Sequence, residues 1–199
     1  LRWAIRHQLD EMRFDEAPAA ITVIGMGRYG GRQVNFSSDA DVIIIYRPTE
    51  EADDGQANLF ARKVQEDLRA ILQGPTTFEP KIELDMDLRP EGKNGPLVRS
   101  YASCEEYYRS WASTWEHQAL LRARHAAGDV ALAEDFLVNI ADPLRYPKTD
   151  LTETQIAEIR KLKARMEAER LPRGVRRERH LKLGKGGLSD VEWTIQLLQ

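Results

Sequence analysis

The chain has 199 residues, 42% hydrophobic and 31% charged, a balance that suits a soluble globular protein long enough to bury a core. A net charge of −3 gives no overall pull toward nucleic acid or a membrane surface. Cys104 is the single cysteine, which excludes an internal disulfide, and no apolar run approaches the ~20 residues of a membrane span.

Leu1–Arg13 places Leu1, Ala4, Ile5, Leu9 and Met12 at helical spacing and predicts a leading helix. Ile21–Tyr46 follows, ITVIGMGRYGGRQVNFSSDADVIIIY, and the rest of the chain is organised around it. It reads as an apolar strand, a turn rich in glycine (Gly25, Gly27, Gly30, Gly31), a short polar segment, and a second strand, Val42–Ile45, with Asp39 and Asp41 at its entrance. Alternate residues of a strand share a face, so the two carboxylates point the same way about 7 Å apart. They repel unless a cation lies between them, and hard oxygen ligands suit Mg²⁺ carrying a nucleotide phosphate.

Gly25-Met-Gly27-Arg-Tyr-Gly30 also matches the dinucleotide fingerprint G-x-G-x-x-G literally. That fingerprint needs a crossover helix of at least about 10 residues and an acid closing the next strand. Here a short segment separates Gly31 from Asp39, and the acids open the strand. The better fit is a phosphate-cradling turn, lined by Gly27, Gly30 and the Ser38 hydroxyl, with the aspartates holding the metal.

Next comes a polar loop with Glu50, Glu51, Asp53 and Asp54, then a predicted helix over Gln56–Leu72 with Leu59, Phe60, Val64, Leu68 and Ile71 on one stripe, ended by Gly74 and Pro75. Lys81–Arg89 alternates, with Ile82, Leu84, Met86 and Leu88 on one face and Glu83, Asp85 and Asp87 on the other, and predicts a strand. A solvent-facing edge strand has the same pattern. Arg89–Arg99 is a Pro/Gly turn region and the expected boundary between two lobes.

Beyond it the pattern is helical. Ser103 and Glu106 form a capping-box pattern for a helix running to about Ala126, with Cys104, Tyr108, Trp111 and Trp115 on its core stripe. His117, within it, reads as a structural histidine with a general base as the rival role. Arg122 and Arg124 fall on different faces, and either one of them reaches a phosphate or makes a structural ion pair. Further helices are expected over Asp129–Ile140 and Thr152–Arg170, the second with Ile156, Ile159, Leu162 and Met166 inward. Pro172–Gly186 is the one clearly basic segment and reads as a solvated or partner-facing loop. Ser189 and Glu192 make a capping box for a last helix, which accounts for Glu192. The chain lacks an initiator methionine and stops inside an amphipathic run, so it reads as a piece of a longer protein.

Several motifs, in order, resemble those of glutamine synthetase adenylyltransferases: Gly25-Met-Gly-Arg-Tyr-Gly-Gly31, Asn35-Phe-Ser-Ser-Asp39-Ala-Asp41-Val, Leu84-Asp85-Met-Asp-Leu-Arg89-Pro-Glu-Gly92, Trp115-Glu-His-Gln-Ala-Leu-Leu-Arg-Ala-Arg124, and Gly186-Gly-Leu-Ser-Asp-Val-Glu-Trp193. Gln33 and Asp87 depart from the family's usual Glu and Arg. The resemblance implies an α/β (α+β) nucleotidyltransferase lobe with a small mixed sheet and helices on one face, residues 1–99, followed by an all-helical lobe, residues 100–199. It implies transfer of AMP from ATP to a tyrosine hydroxyl of glutamine synthetase, releasing pyrophosphate and regulating nitrogen assimilation. Asp39, Asp41 and Asp85 then hold Mg²⁺, with Asp85 the candidate base, and Gly27, Gly30, Ser38 and Arg89 line the phosphates.

The same resemblance implies a cytoplasmic enzyme and a PII-type signalling protein as a further partner; the slightly negative net charge and the core-like aromatics argue against a nucleic-acid partner, and the short apolar runs against a membrane. The family's enzymes have an adenylylating and an adenylyl-removing half. Trp115–Leu120 resembles the first and Asn35–Asp39 the second, and the adenylylating half is favoured. An RNA-tailing nucleotidyltransferase and a non-catalytic regulatory module are the rival classes.

Overall fold

The computed structural model describes residues 1–36, 38–74, 81–171 and 174–199. Ser37 of the Asn35–Asp39 motif, Pro75 as a helix breaker, and Pro172 and Arg173 of the basic segment lie outside the described residues. Helix α1 (Arg2–Met12) leads into strand β1 (Ala19–Gly25), the single turn α2 (Gly27–Gly30), strand β2 (Ala40–Pro48) and helix α3 (Asp54–Gln73). Short strands β3 (Leu84–Asp85) and β4 (Val98–Ser100) follow, then α4 (Tyr101–Ser110), α5 (Thr114–Leu120) and β5 (Arg124–Gly128). The chain finishes with α6 (Val130–Phe136), a π-helical turn (Leu137–Ala141), α7 (Asp142–Arg145), α8 (Glu153–Arg170) and α9 (Leu188–Leu198).

The sheet is small, five-stranded and mixed. β1 lies antiparallel to β2, from Ala19 opposite Pro48 to Gly25 opposite Val42. On the far edge of β2, β3 pairs in parallel at Ala40 and Asp41, and β4 pairs in parallel further along, at Ile44–Tyr46. β5 pairs antiparallel with the other edge of β1. It comes from beyond residue 100, so the second expected lobe lends a strand to the sheet of the first.

Helices cover both faces of this sheet, not the one face expected. Ile21, Val23, Val42 and Ile44 pack with Phe60, Val64 and Leu68 of α3 and with α1. Ile24, Ile43 and Ile45 point the other way and pack with Cys104, Tyr108, Leu120, Leu132 and Phe136. The unbroken β-branched run Val42–Ile45 is how a strand buried on both sides reads, because neither face tolerates a polar residue. Asp53 caps α3 by accepting from the N–H groups of Gly55 and Gln56, which gives one member of the acidic loop a structural task. On α3, Leu59 and Ile71 are exposed while Ala57 and Ala61 join the buried stripe, so the stripe lies slightly off the expected line.

Three other expectations are corrected. The strand expected over 81–89 is reduced to Leu84–Asp85, because the chain turns at Asp87, whose N–H donates to Asp85 Oδ1 at 2.7 Å. The helix expected over 103–126 starts two residues early under Ser100 and breaks at Trp111–Ser113. It restarts under a capping box of Ser113 and Glu116 and gives way to β5, where extended backbone completes the edge of β1. The break resets the helical phase: Cys104 and Tyr108 are buried, but Trp111 at the end of α4 is 74% exposed. On α8 only Ile159 of the predicted stripe is buried.

Candidate active site

The site grows from the glycine turn. At Gly27 the backbone takes φ +48°, a left-handed conformation that favours glycine, and a Cβ there would stand 2.3 Å from Asp41 Oδ2. Gly27 is therefore the residue against which the Asp41 carboxylate rests. Gly30 is buried, and a Cβ on it would come within 2.0 Å of the Arg122 carbonyl. The carbonyls of Tyr29 and Gly30 accept from the Arg124 guanidinium at 3.0 and 2.8 Å, and that guanidinium also lies over the Tyr29 ring. Of the two arginines read from the sequence, Arg124 thus braces the turn and Arg122 faces the cleft.

Asp41 and Asp85 are direct partners across β2 and β3. Both open into a cavity of about 540 Å³, together with Gly27, Arg28, Trp115, Arg122, Lys182, Glu192 and Trp193. Asp39 lies just before β2 and lines an adjoining hollow of about 300 Å³ with Glu83, Asp85 and Asp87, and Asp85 and Asp87 form part of both. Among the described residues no group of three or more His, Cys, Asp or Glu side chains is placed to hold a metal ion, Asp39, Asp41 and Asp85 included.

The carboxylates still act on one another. Burial, reinforced by the charges of Asp85 and Asp39, raises the Asp41 pKa from 3.8 to about 6. The Arg28 backbone N–H and the Lys182 charge oppose that shift. A half-buried carboxylate held up by two neighbours of like charge is in the state that a hard divalent cation would relieve, and the donors on offer are all oxygens.

The remaining expected site residues are engaged elsewhere. The Ser38 hydroxyl closes its own loop, donating to Asn35 Oδ1 at 2.8 Å and accepting from the Asn35 N–H at 3.0 Å. Arg89 is buried, and its three guanidinium nitrogens donate to the carbonyls of Gly95, Met86 and Lys93. It lines the hollow beside Asp39 but holds the 86–95 loop through all three donors. His117 lies outside the carboxylate cavity and lines a separate hollow, where burial lowers its pKa.

Arg28, Trp115, Lys182, Glu192 and Trp193 also line the cleft and are not among the residues expected there. Arg28 sits inside the quoted glycine motif, Trp115 was placed in the core, and Lys182 belongs to the basic segment. Glu192 was assigned to a helix cap. In the structure α9 starts at Leu188 with Gly187 at its N-cap position and no side-chain bond, and the Ser189 hydroxyl donates to the Lys182 carbonyl. Glu192 instead turns toward Arg28 and Arg122.

With the geometry in view, comparison with known proteins is informative. The family model for glutamate-ammonia ligase adenylyltransferase matches residues 1–139. The chain is 80% identical, over all of its 199 residues, to a bifunctional glutamine synthetase adenylyltransferase/adenylyl-removing enzyme of Bifidobacterium longum (strain DJO10A), of which it covers 18%. It is 51% identical over 185 residues, 93% of the chain, to the proteins of that name from Streptomyces avermitilis and Mycobacterium tuberculosis (strain H37Rv), again covering 18% of each. The chain thus spans about a fifth of the length of these relatives.

Proposed function

The chain belongs to the glutamate-ammonia ligase adenylyltransferase family, and from that premise we propose that it carries a nucleotidyltransferase site that moves AMP from ATP to a tyrosine hydroxyl of glutamine synthetase. The observation that supports this most directly is the pairing of Asp41 with Asp85 across neighbouring strands, beside a glycine turn and in one cavity with Arg28, Arg122 and Lys182. Residues 1–99 form the catalytic lobe in this reading, and residues 100–199 form a helical lobe that adds β5 and closes the cleft. Among the described residues no helix is long and apolar enough to cross a membrane. A cytoplasmic setting and regulation by a PII-type signalling protein come from the family resemblance alone.

Asp39, Asp41 and Asp85 would hold Mg²⁺. When bound, the metal supplies positive charge to the triphosphate and lowers the pKa of a phenol that is otherwise near 10. Asp85 accepts the phenolic proton as the tyrosyl oxygen bonds to the α-phosphorus and the bond to the leaving pyrophosphate breaks. Gly27 keeps the backbone beside Asp41 low enough for a phosphate to approach. Arg28, Arg122 and Lys182 face the developing charge of the pyrophosphate. Trp115 and Trp193 give the cavity aromatic walls, the kind of surface on which an adenine or a tyrosine ring rests.

A second reading is favoured by one observation: Asn35–Asp39 resembles the adenylyl-removing half, which would transfer the AMP group from the tyrosyl oxygen to phosphate, releasing ADP and the free hydroxyl, through the same carboxylates. One incubation separates the two. Labelled ATP, Mg²⁺ and unmodified glutamine synthetase should yield labelled glutamine synthetase and pyrophosphate. Release of nucleotide only from modified enzyme plus phosphate would establish the second reading instead, and no turnover in either arm would overturn both.

A further inference from the structure

We infer that Arg28 and Arg122 form an anion subsite in the cavity that also holds Asp41 and Asp85, and that Glu192 is a built-in placeholder anion that holds the two arginines together until a polyphosphate displaces it. The inference rests on the nucleotidyl-transfer reading above for the identity of the polyphosphate, and on the geometry for the rest.

One carboxylate oxygen carries the arrangement. Glu192 Oε1 lies 3.8 Å from Arg28 Nε and 3.7 Å from Arg122 Nη1. Both distances are ion-pair distances, and neither is a hydrogen bond. Arg28 Nε is buried and has no hydrogen-bond partner among the described residues. A buried donor without an acceptor is costly, and native structures rarely leave one without a reason. Here two guanidinium groups from distant parts of the chain converge on a single monoanion that attracts both and saturates neither.

A polyphosphate matches this arrangement better than a carboxylate does. It brings more charge and several acceptor oxygens, which arginine forks take in parallel, charge-assisted bonds. The subsite is also firmly mounted. Arg28 belongs to the turn braced by Arg124, and Arg122 lies between α5 and β5. α9, which carries Glu192, is tied to α8 through Asp190 and Lys163, and Lys163 also pairs with Glu167. Glu192 therefore acts on substrate only through the arginines, as a positioning residue.

The test is the affinity of the protein for inorganic pyrophosphate, measured by calorimetry with a chelator present so that the metal site does not contribute. Glu192→Gln keeps the shape and removes the competing charge, so pyrophosphate should bind about three- to tenfold more tightly. Arg122→Gln should weaken binding by at least about fivefold, with an unchanged circular dichroism spectrum. If Glu192 were only a brace, Glu192→Gln would let the arginines drift and weaken binding, and Glu192→Asp would restore it. Weaker or unchanged binding in Glu192→Gln therefore overturns the inference. Should that variant not fold, Arg122→Lys decides: it keeps the charge but loses the fork, and undiminished pyrophosphate affinity overturns the subsite. Tighter binding in Glu192→Gln without any AMP transfer or removal would sink the proposed function and leave the subsite standing. Transfer without the tightening would do the reverse.

Discussion

The Asp41 carboxylate rests directly against Gly27: a Cβ at that glycine would meet Asp41 Oδ2 at 2.3 Å, in a backbone conformation of φ +48°. The residue that shapes the glycine turn and the first carboxylate of the β2–β3 pair thus occupy one mutually fitted space. Gly27→Ala should cost roughly 1–2 kcal/mol through the left-handed backbone alone. The displaced Asp41 should lower AMP transfer by about 100-fold, the usual consequence of moving a reacting group by about an ångström. Thermal melting and initial rates on the same preparation check this, and near-normal turnover would separate the turn from the chemistry.

Asp41 makes a pH-dependent prediction. Its folded pKa, raised to about 6 from 3.8, favours the protonated form in the folded state. Its favourable contribution is complete below about pH 4 and is lost as the pH rises through about 6. Asp41→Asn should therefore melt above the parent at pH 7.5, and the gap should close toward pH 4. Mg²⁺ should raise the melting temperature of the parent at pH 7.5 and do less for the variant. A variant less stable than the parent at pH 7.5 would show that the carboxylate repulsion is already neutralised. Transfer should be abolished in both Asp39→Asn and Asp41→Asn, and activity surviving either change would remove that residue from the metal site.

The third carboxylate is chosen by position. Asp85 is paired with Asp41, whereas Glu83 precedes β3 and Asp87 stands in the turn, 3.3 Å from Lys93. Asp85→Asn should reduce turnover by about two to four orders of magnitude if it is the base. ATP–Mg²⁺ affinity should fall less. Glu83→Gln, outside the cavity that holds Asp41, should leave turnover within about threefold, and Asp87→Asn, which shares that cavity but pairs with Lys93, should cost less than Asp85→Asn. Equal damage from Glu83→Gln would move the assignment.

Arg89 is the residue for which sequence and structure suggest different tasks. Its three bonds to loop carbonyls predict that Arg89→Lys loses about 1.5–3 kcal/mol of stability, because lysine cannot reproduce the fork. The KM for ATP in the folded protein should move little. A large rise in KM with unchanged melting would return Arg89 to the phosphates.

Much of the fold could be read where local pattern and tertiary environment agree. Val42–Ile45 and Ile21–Ile24 are β-branched, and they form the central antiparallel pair; Asp53 follows the ordinary rule for a helix start. β5 could not be read, because Arg124-His-Ala-Ala-Gly has no β-branched residue, and only the open edge of β1 makes it a strand. Lys81–Arg89 alternates over nine residues, yet the Asp85 side chain captures the Asp87 N–H and ends the pairing after two. Glu192 matched a local cap motif, but such motifs record only nearby neighbours, and its arginines lie far off in sequence. Asp39 and Asp41 stand out in the sequence beside a glycine turn, whereas Asp85 is distinguished from Glu83 and Asp87 only by the family resemblance. The basic residues Arg28, Arg122 and Lys182 do not stand out as a group, because they come from three separate segments.

The latch between Arg124 and the Gly30 carbonyl joins residues 94 positions apart. Contacts of such separation form late, since the chain between them must first give up its freedom. During synthesis the glycine turn is made early and stays unlatched until Arg124 has left the ribosome, and β1 meanwhile presents a bare, strongly apolar edge to any strand nearby. The latched turn therefore cannot form before Arg124 has emerged, and slow synthesis of the stretch up to it lengthens the period in which the nascent sheet is open to mispairing.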